Sequence, residues 1–385
     1  MPMSEFAHPQ RIAGLRARMQ TPETTDGQVV AESVDALIVS HLDNVRYLTG
    51  FTGSNGLVLL TDQDAFFFTD GRYALQAARE VPGFERIVLP PGRSLVDAAG
   101  KKALELPVSM VGFEGARLTY NAYRTLELAL DPEIANHCPV SRSGDVEFLR
   151  EVKDDSELAK IRAACALADA CFSHLLTIIR PGVTEKQVAW ELEVFFRTHG
   201  AQRLSFDPII GSGPNSAIIH GRASDRVIGS SGRPEFVLCD FGCELNGYCS
   251  DITRTVVVGG EPTEAMRRIY ETTLAAQQAA LTAIRPGVVG KSIDALARGM
   301  LRDAGYGEMP HGLGHGLGRL VHDLPLPTFS PMATVVLRPG IVATVEPGIY
   351  VEGLGGVRIE DDILVTATGN ERLTHSPKEL TVLGN

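Results

Sequence analysis

Two stretches of this chain repeat one another at a spacing that few architectures can accommodate. "IIRPGVTEKQVAWELEVFFRTHG" (178–200) and "AIRPGVVGKSIDALARGMLRDAG" (283–305) share Arg-Pro-Gly-Val, a lysine three residues past the valine, a later arginine and a terminal glycine, all at a constant offset of 105. An apolar, helix-like run precedes each copy. Such an offset is too long for a solenoid unit, so the copies read as related halves of one domain facing across a pseudo-twofold axis. A cleft between such halves is the natural place for a ligand.

A chain of 385 residues exceeds one ordinary core, so a second domain is expected ahead of the repeat. There, short β-type runs alternate with helical ones: "ALIVS" at 36, "GLVLL" at 56, "AFFFT" at 65, "RIVLP" at 86, then "YNAYRTLELAL" at 120. That is an α/β pattern. Around "SRSGDVEFLREVKDDSE" (141–157) charge rises, before Leu158, Ile161, Cys165, Ala168, Cys171 and Leu175 mark a long helix by their spacing. The expected division is a domain over 1–145, a linker over 146–157 and a second domain over 158–385.

Composition excludes several classes of function. With 44% hydrophobic and 22% charged residues the chain reads as globular, and no apolar run reaches bilayer-spanning length, so no membrane partner is expected. The N-terminus "MPMSEFAHPQRIAGLRARMQ" lacks the apolar stretch of a secretory leader, and a cytoplasmic protein is expected. A formal charge of −11 without a basic, aromatic-interleaved run argues against nucleic acid. Six cysteines in this length do not make a disulfide framework.

"CDFGCELNGYCSDIT" (239–253) offers two possible metal sites, one of sulfur and one of oxygen. Asn246-Gly247 is a strong hairpin signal. With the turn there, Leu245 faces Tyr248 and Asp240 faces Thr253, so Asp251 lies diagonal to Asp240 on one face, roughly 7 Å away or less between Cβ atoms. Cys239 and Cys243 point to the opposite face from Cys249 and cannot converge without a bulge, so the cysteines read as packing residues. Taken alone, the aspartate pair is better explained as a solvated strand face or turn-capping pair.

Later segments reverse that preference. "HGLGHGLGRLVHD" (311–323) carries His311, His315 and His322, and its glycines oppose a helix. An extended reading puts His311, Leu313, His315 and Leu317 on one face and bare backbone on the other, where another segment can approach closely. In "VATVEPGIYVEGLGGVRIEDDILVT" (342–366), Glu346 is held at a strand end by Pro347-Gly348. Glu360 sits inside the strand-like "VRIEDDILV" (357–365), where alternation puts Val357, Ile359 and Asp361 on one face and Arg358, Glu360 and Asp362 on the other, and Arg358 beside Glu360 has the plain alternative of a surface ion pair. Four carboxylates and one imidazole in one pocket would force protonation unless cations were present. Two divalent ions balance the charge, and oxygen-rich ligation favours manganese, iron, cobalt or catalytic zinc. Metals roughly 3.5 to 4 Å apart can hold a bridging hydroxide and polarise a carbonyl, the equipment of a hydrolase.

The order Asp, Asp, His, Glu, Glu, set in "DFG...SDITRT", "HGLGHGLG", "VEPGIY" and "GGVRIEDD", resembles the pita-bread metallopeptidases, which include methionine aminopeptidase, aminopeptidase P and prolidase. "RYLTGFTGSNG" (46–56) and "FTDGRYALQA" (68–77) look like the N-terminal domain of the last two. The resemblance implies an α/β two-domain protein with a creatinase/prolidase-type N-terminal domain and a pseudo-twofold α+β catalytic domain. It implies two divalent ions, manganese foremost, held by Asp240, Asp251, His315, Glu346 and Glu360, with Asp251 and Glu360 bridging and Glu346 accepting a proton from the attacking water. His220 and His322 would act near the scissile bond, His311 and Tyr350 would flank the proline ring, and Arg358 would support a bridging carboxylate. Asn44 stands, beside Asp43, where some aminopeptidases P have an aspartate.

The implied reaction is release of the N-terminal residue from peptides with proline second, an Xaa-Pro aminopeptidase, in a homodimer. An X-Pro bond has no amide N–H, so an activated water and a polarised carbonyl suit it better than recognition through backbone hydrogen bonds. The alternative within the class is an Xaa-Pro dipeptidase (prolidase), which needs a group for the free C-terminal carboxylate, and no arginine in the sequence announces that role. "GFTGSNG" and "TDGRYALQA" tilt the reading towards aminopeptidase P. A metal-free creatinase-like enzyme and a non-catalytic binding protein are disfavoured by the intact ligand set. For His220 and His322 the competing explanation is imidazoles satisfied in a core.

Overall fold

The computed structural model describes residues 9–25, 28–130 and 138–384, so the first eight residues, at which the leader question begins, lie outside the described chain. It divides into two compact units between Leu149 and Arg150. In the first, six strands pair in the order Glu85–Leu89, Ala65–Asp70, Leu57–Thr61, Ala36–Val39, Met110–Glu114, Cys138–Arg142, mixing parallel and antiparallel neighbours. The apolar runs of the sequence become strands because both sheet faces are covered. Leu37, Val39, Val58, Leu60 and Phe67 enter one core cluster, while Ala36, Ile38, Leu57, Leu59, Phe66 and Phe68 enter another. Asn44 is fully buried and donates to Glu114 (2.6 Å) and Glu147 (2.9 Å), so it has a structural task of its own.

The residues expected as a linker are ordered. Asp145–Glu151 is helical, Val146 and Leu149 join the first unit's core, and the next helix opens at Asp155, earlier than the apolar periodicity suggested. The reason is a capping box: the Asp154 carboxylate accepts from the Glu157 amide and Glu157 reaches back to the Asp154 amide. Asp155–Ile178 has the length and apolar content of a membrane-crossing helix, contrary to the sequence expectation. It is nonetheless a core helix, because Leu158, Ile161, Ala164, Ala168, Phe172 and Leu175 are buried and Arg162 stays outside, paired with Glu371.

The repeat becomes two helix pairs. Asp155–Ile178 with Glu185–Thr198 and Glu264–Ala283 with Gly290–Asp303 are each followed by a bent arm of strands. The first arm pairs Glu235–Phe241 with Ile252–Val258, Asp240 opposite Thr253, and Leu245 opposite Tyr248 across a turn in which Asn246 and Gly247 have positive φ. The second pairs Val342–Val345 with Asp361–Val365 and Gly348–Val351 with Gly355–Arg358. Each half keeps its own core, Phe196, Val237, Phe241 and Val256 in the first, Ile293, Leu301, Val345 and Ile363 in the second. A hydrogen bond from the Glu360 amide to the Thr253 carbonyl joins the arms where the acids lie.

Candidate active site

The acids occupy the bends of the arms. Asp240 is the penultimate residue of its strand, Asp251 immediately precedes Ile252–Val258, Glu346 follows Val345, and Glu360 falls in the gap between Arg358 and Asp361. The continuous strand expected over 357–365 is therefore broken at Ile359 and Glu360. A break lets neighbouring acids take separate tasks. Asp361 is tied to Arg254 (2.7 Å), Lys378 (2.7 Å) and Gln277 (2.9 Å), and although burial pushes its carboxyl up, Arg254 and Lys378 bring it below the usual range. Asp362 accepts from the Asp251 amide (2.9 Å) and meets Cys165. Glu360 alone of the three faces the cavity, accepting from Thr253 Oγ1 at 2.6 Å.

The histidine-bearing segment is held by close backbone contact. A Cβ on Gly314 would lie 2.0 Å from the Thr344 carbonyl oxygen, and one on Gly316 would lie 2.4 Å from that of Asp323, so only glycine fits there. His311 and His315 reach the cavity, but Leu313 and Leu317 enter two separate core clusters, so simple alternation over 311–317 does not hold. Backbone bridges run from Gly314 to Phe329 and from Gly316 to both Asp323 and Ala343, and no regular strand forms here.

These segments enclose a cavity of about 620 Å³ whose wall contains Asp240, Asp251, His315, Glu346 and Glu360 together with His220, His311, His322 and Arg358. His315 Nε2 lies 3.5 Å from both Asp251 Oδ2 and Glu346 Oε1, and Asp251, His315 and Glu360 bring ligand atoms within 4.8 Å of one another. The rings of His315 and His322 stand perpendicular, 4.2 Å between centroids. His220 and His322 are exposed to solvent, which removes the explanation of imidazoles satisfied in a core. Tyr350 is not on the cavity wall. Its hydroxyl joins His311 Nε2 (2.9 Å) to Arg358 Nη1 (2.8 Å), so of the pair expected beside a proline ring only His311 faces the space.

Arg358 is buried, and its partner is Asp240, with Thr253 Oγ1 at 3.1 Å linking it to Glu360. The surface pair with Glu360 is thus excluded. Burial opposes its charge, but Tyr350, Asp240 and the glutamates hold its pKa well above the ordinary arginine value.

The donor set fits a divalent cation. Asp240 Oδ1 and Asp251 Oδ1 are buried without a hydrogen-bond partner, which is rare for carboxylate oxygens and is what a cation would satisfy. Burial, then repulsion from Glu360 and Asp240, pushes the Asp251 carboxyl far up, and burial with Glu346 and Asp240 does the same to Glu360. Burial raises Glu346 to about 7. Burial, reinforced by His322, lowers His315 to about 3, which leaves a neutral imidazole suited to a metal. The thiols offer no rival site. Cys239 and Cys243 lie in the first half's core, Cys249 in another cluster, and burial raises all three to about 12.

Sequence reasoning missed the residues that fix the histidine-bearing loops. Glu185, fully buried at the start of its helix, accepts from the Ser212 amide (2.7 Å), Ser212 Oγ (2.8 Å), Asn215 Nδ2 (3.1 Å), the Ser224 amide (3.0 Å) and Ser224 Oγ (2.5 Å), clamping the loop that carries His220. Asp294 accepts from the Leu313 amide (3.0 Å) beside His311. Asp323, fixed by Arg150 at 2.8 Å, accepts from the Arg319 and Leu324 amides (both 2.9 Å) around His322. The Thr184-x-x-Gln187 capping box marks the helix start at Glu185, but nothing local marks that glutamate as buried.

Residues 159–367 match Metallopeptidase family M24 and residues 23–152 match the Creatinase/Prolidase N-terminal domain. The chain belongs to metallopeptidase family M24, with the pita-bread catalytic domain preceded by that N-terminal domain. A Xaa-Pro dipeptidase from Bacillus anthracis has a solved structure that superimposes with a TM-score of 0.88 at 41% identity, over 97% of this chain and 99% of that one. An X-Pro aminopeptidase from Thermotoga maritima gives 0.83 at 35% identity, over 91% and 98%. A Xaa-Pro dipeptidase from Pyrococcus horikoshii is 36% identical over 90% of this chain and 95% of its own. The protein is thus a metallopeptidase, a hydrolase that uses divalent metal.

Proposed function

We propose that this protein is an Xaa-Pro dipeptidase, cleaving the bond before a C-terminal proline. The observation that carries the reading is the cavity wall, where four carboxylates and a neutral imidazole converge with two carboxylate oxygens lacking any donor. The relatives move the choice from the aminopeptidase, favoured on sequence, to the dipeptidase. The tilt rests on N-terminal motifs, and the Bacillus dipeptidase matches this chain along nearly its whole length, so having this N-terminal domain does not by itself favour the aminopeptidase.

Asp240, Asp251, His315, Glu346 and Glu360 would hold two divalent ions. The oxygen-rich set suits manganese first, then iron, cobalt or zinc. Bound metal supplies Lewis acidity and lowers the pKa of water. Glu346, whose carboxyl stands near neutrality without cations, takes the proton from the attacking water. His220 and His322, at the solvent side of the same cavity, steady the carbonyl oxygen and the departing nitrogen. His311 contacts the proline ring, oriented by the Tyr350 hydroxyl. Six free cysteines suit a reducing, cytoplasmic setting. A homodimer is the assembly the family resemblance implies, and sedimentation would test it.

Metal-stripped protein titrated with manganese should regain hydrolysis of Xaa-Pro and leave Xaa-Pro-Yaa-Zaa nearly untouched. Equal rates on both peptides would return the aminopeptidase. Near-normal turnover in His220→Ala and His322→Ala with metal bound would remove those histidines from the mechanism.

A further inference from the structure

The wall of the cavity carries two arginines, and only one is committed. Arg358 is buried against Asp240, Thr253 and Tyr350. Arg222 is exposed and has no hydrogen bond or ion pair among the described residues, yet it lines the same cavity. Its backbone is fixed on both sides, since Glu185 clamps Asn215 before it and Ser224 after it, and the Gly221 amide closes a turn onto the Ile218 carbonyl at 3.0 Å. A free guanidinium on a clamped loop is pre-organised for an anion. That anion is not part of the protein.

A dipeptide ending in proline brings its own. With the charge of the four acids balanced by the metal ions they would hold, the free C-terminal carboxylate still needs a cationic partner of its own on the wall beyond them. Longer peptides place a neutral amide at that point and gain no charge-assisted pair. We propose that Arg222 holds the free C-terminal carboxylate of an Xaa-Pro dipeptide and so sets the enzyme's preference for dipeptides. Pro327 and Phe329, on the same wall, give the ring an apolar surface. The assignment rests on the dipeptidase reading above.

The test compares metal-loaded wild type, Arg222→Gln and Arg222→Lys on Xaa-Pro and on its C-terminal amide. Wild type should prefer the acid. Arg222→Gln should lose about 10- to 100-fold in kcat/KM on the acid, chiefly through KM, so that the acid-to-amide ratio falls towards one. Arg222→Lys should recover part of it. Inhibition by free proline gives a readout without turnover, and its Ki should rise by a similar factor in Arg222→Gln. An acid-to-amide ratio unchanged in Arg222→Gln, or wild type indifferent to amidation, overturns the assignment. Wild type cleaving Xaa-Pro-Yaa-Zaa as fast as Xaa-Pro would overturn the dipeptidase reading itself, an outcome distinct from an unchanged ratio in the variant.

Discussion

The two halves of the catalytic unit share a frame and differ in what is mounted on it. Their helices end at Ile178 and Ala283, resume at Glu185 and Gly290, and end again at Thr198 and Asp303, each pair 105 residues apart. Both arms run strand, break, hairpin, break, strand. Asp240 corresponds to Glu346, 106 residues on, and Asp251 to Glu360, 109 on, because the second hairpin has longer strands and a longer turn. The duplicated frame therefore supplies the carboxylates two by two. The imidazoles do not follow the duplication: His220 stands on a loop of the first half, while His311, His315 and His322 come from one segment of the second. Symmetry builds the charge, and departures from symmetry bring the groups that face substrate.

Neutralising one acid from each half puts this equivalence under the largest stress. Asp251→Asn and Glu360→Gln should each lower kcat/KM by roughly 10³-fold or more, since a carboxylate that binds metal supports several kcal/mol of catalysis. Metal content after dialysis should fall in both. Steady-state kinetics beside metal analysis would check it. A large loss in one variant with near-normal behaviour in the other would break the equivalence.

Glu185 and Gly290 occupy the same place in the two copies and show where they part. In the first copy the side chain clamps the His220 loop. In the second a Cβ would lie 1.8 Å from the Thr328 carbonyl oxygen, so backbone fills the space that a side chain fills in its counterpart. Glu185→Gln turns an amide group towards donors, and should cost about 1–3 kcal/mol of stability and roughly 10-fold in kcat/KM as the loop loosens. Gly290→Ala should cost about 1–3 kcal/mol or more by overpacking, visible in urea unfolding. Losses confined to stability in both variants would mean that the clamp does not position the loop for catalysis.

The frame was legible in the sequence because its signals are local or strictly periodic. The 105-residue repeat located both helix pairs, and Asn246-Gly247 fixed the register that sets Asp240 opposite Thr253. What failed depended on distant partners. Arg358 beside Glu360 suggests a surface pair, whereas burial and a bend at Ile359 turn it to Asp240. The stretch 146–157 is charged enough to suggest a linker, yet Val146 and Leu149 pack into the first unit's core beside Leu15, Leu37 and Val58. Arg222 and Glu185 carry no signal at all, since one matters for standing on a cavity wall and the other for being enclosed by a loop some thirty residues on.

Acids from the two halves also meet electrostatically, and pH reads that meeting. Burial raises Glu346 from 4.5 to about 7 in the folded chain without cations, and Asp251 and Glu360 are also pushed well up, Asp251 in part by Glu360 and Glu360 in part by Glu346 and Asp240. The folded state then holds more protons than the unfolded one, so stability declines as pH rises. For Glu346 the penalty is absent below pH 4.5, grows towards pH 7 and is constant beyond. The metal-stripped protein should melt at a higher temperature at pH 5 than at pH 8. Saturating manganese should erase much of the difference, because it binds only the folded, deprotonated site. Glu346→Gln should flatten the metal-free profile. A melting temperature that rises from pH 5 to pH 8 in the stripped wild type would show that the acids of the two halves do not crowd one another.

The finest difference between the copies lies at the N-caps of their second helices. Thr184 accepts from the Gln187 amide and Gln187 returns a bond to the Thr184 amide, while Val289, 105 residues on and also extended, offers no side-chain cap. Thr184→Val should cost about 1 kcal/mol, the ordinary worth of such a cap. Val289→Thr should stabilise by up to about 1 kcal/mol if the frames are interchangeable, and independent sites should add, leaving the double variant near wild type in urea unfolding. A destabilised Val289→Thr would mean that packing around the valine outweighs the gained hydrogen bond, and that the second copy has diverged even where its backbone has not.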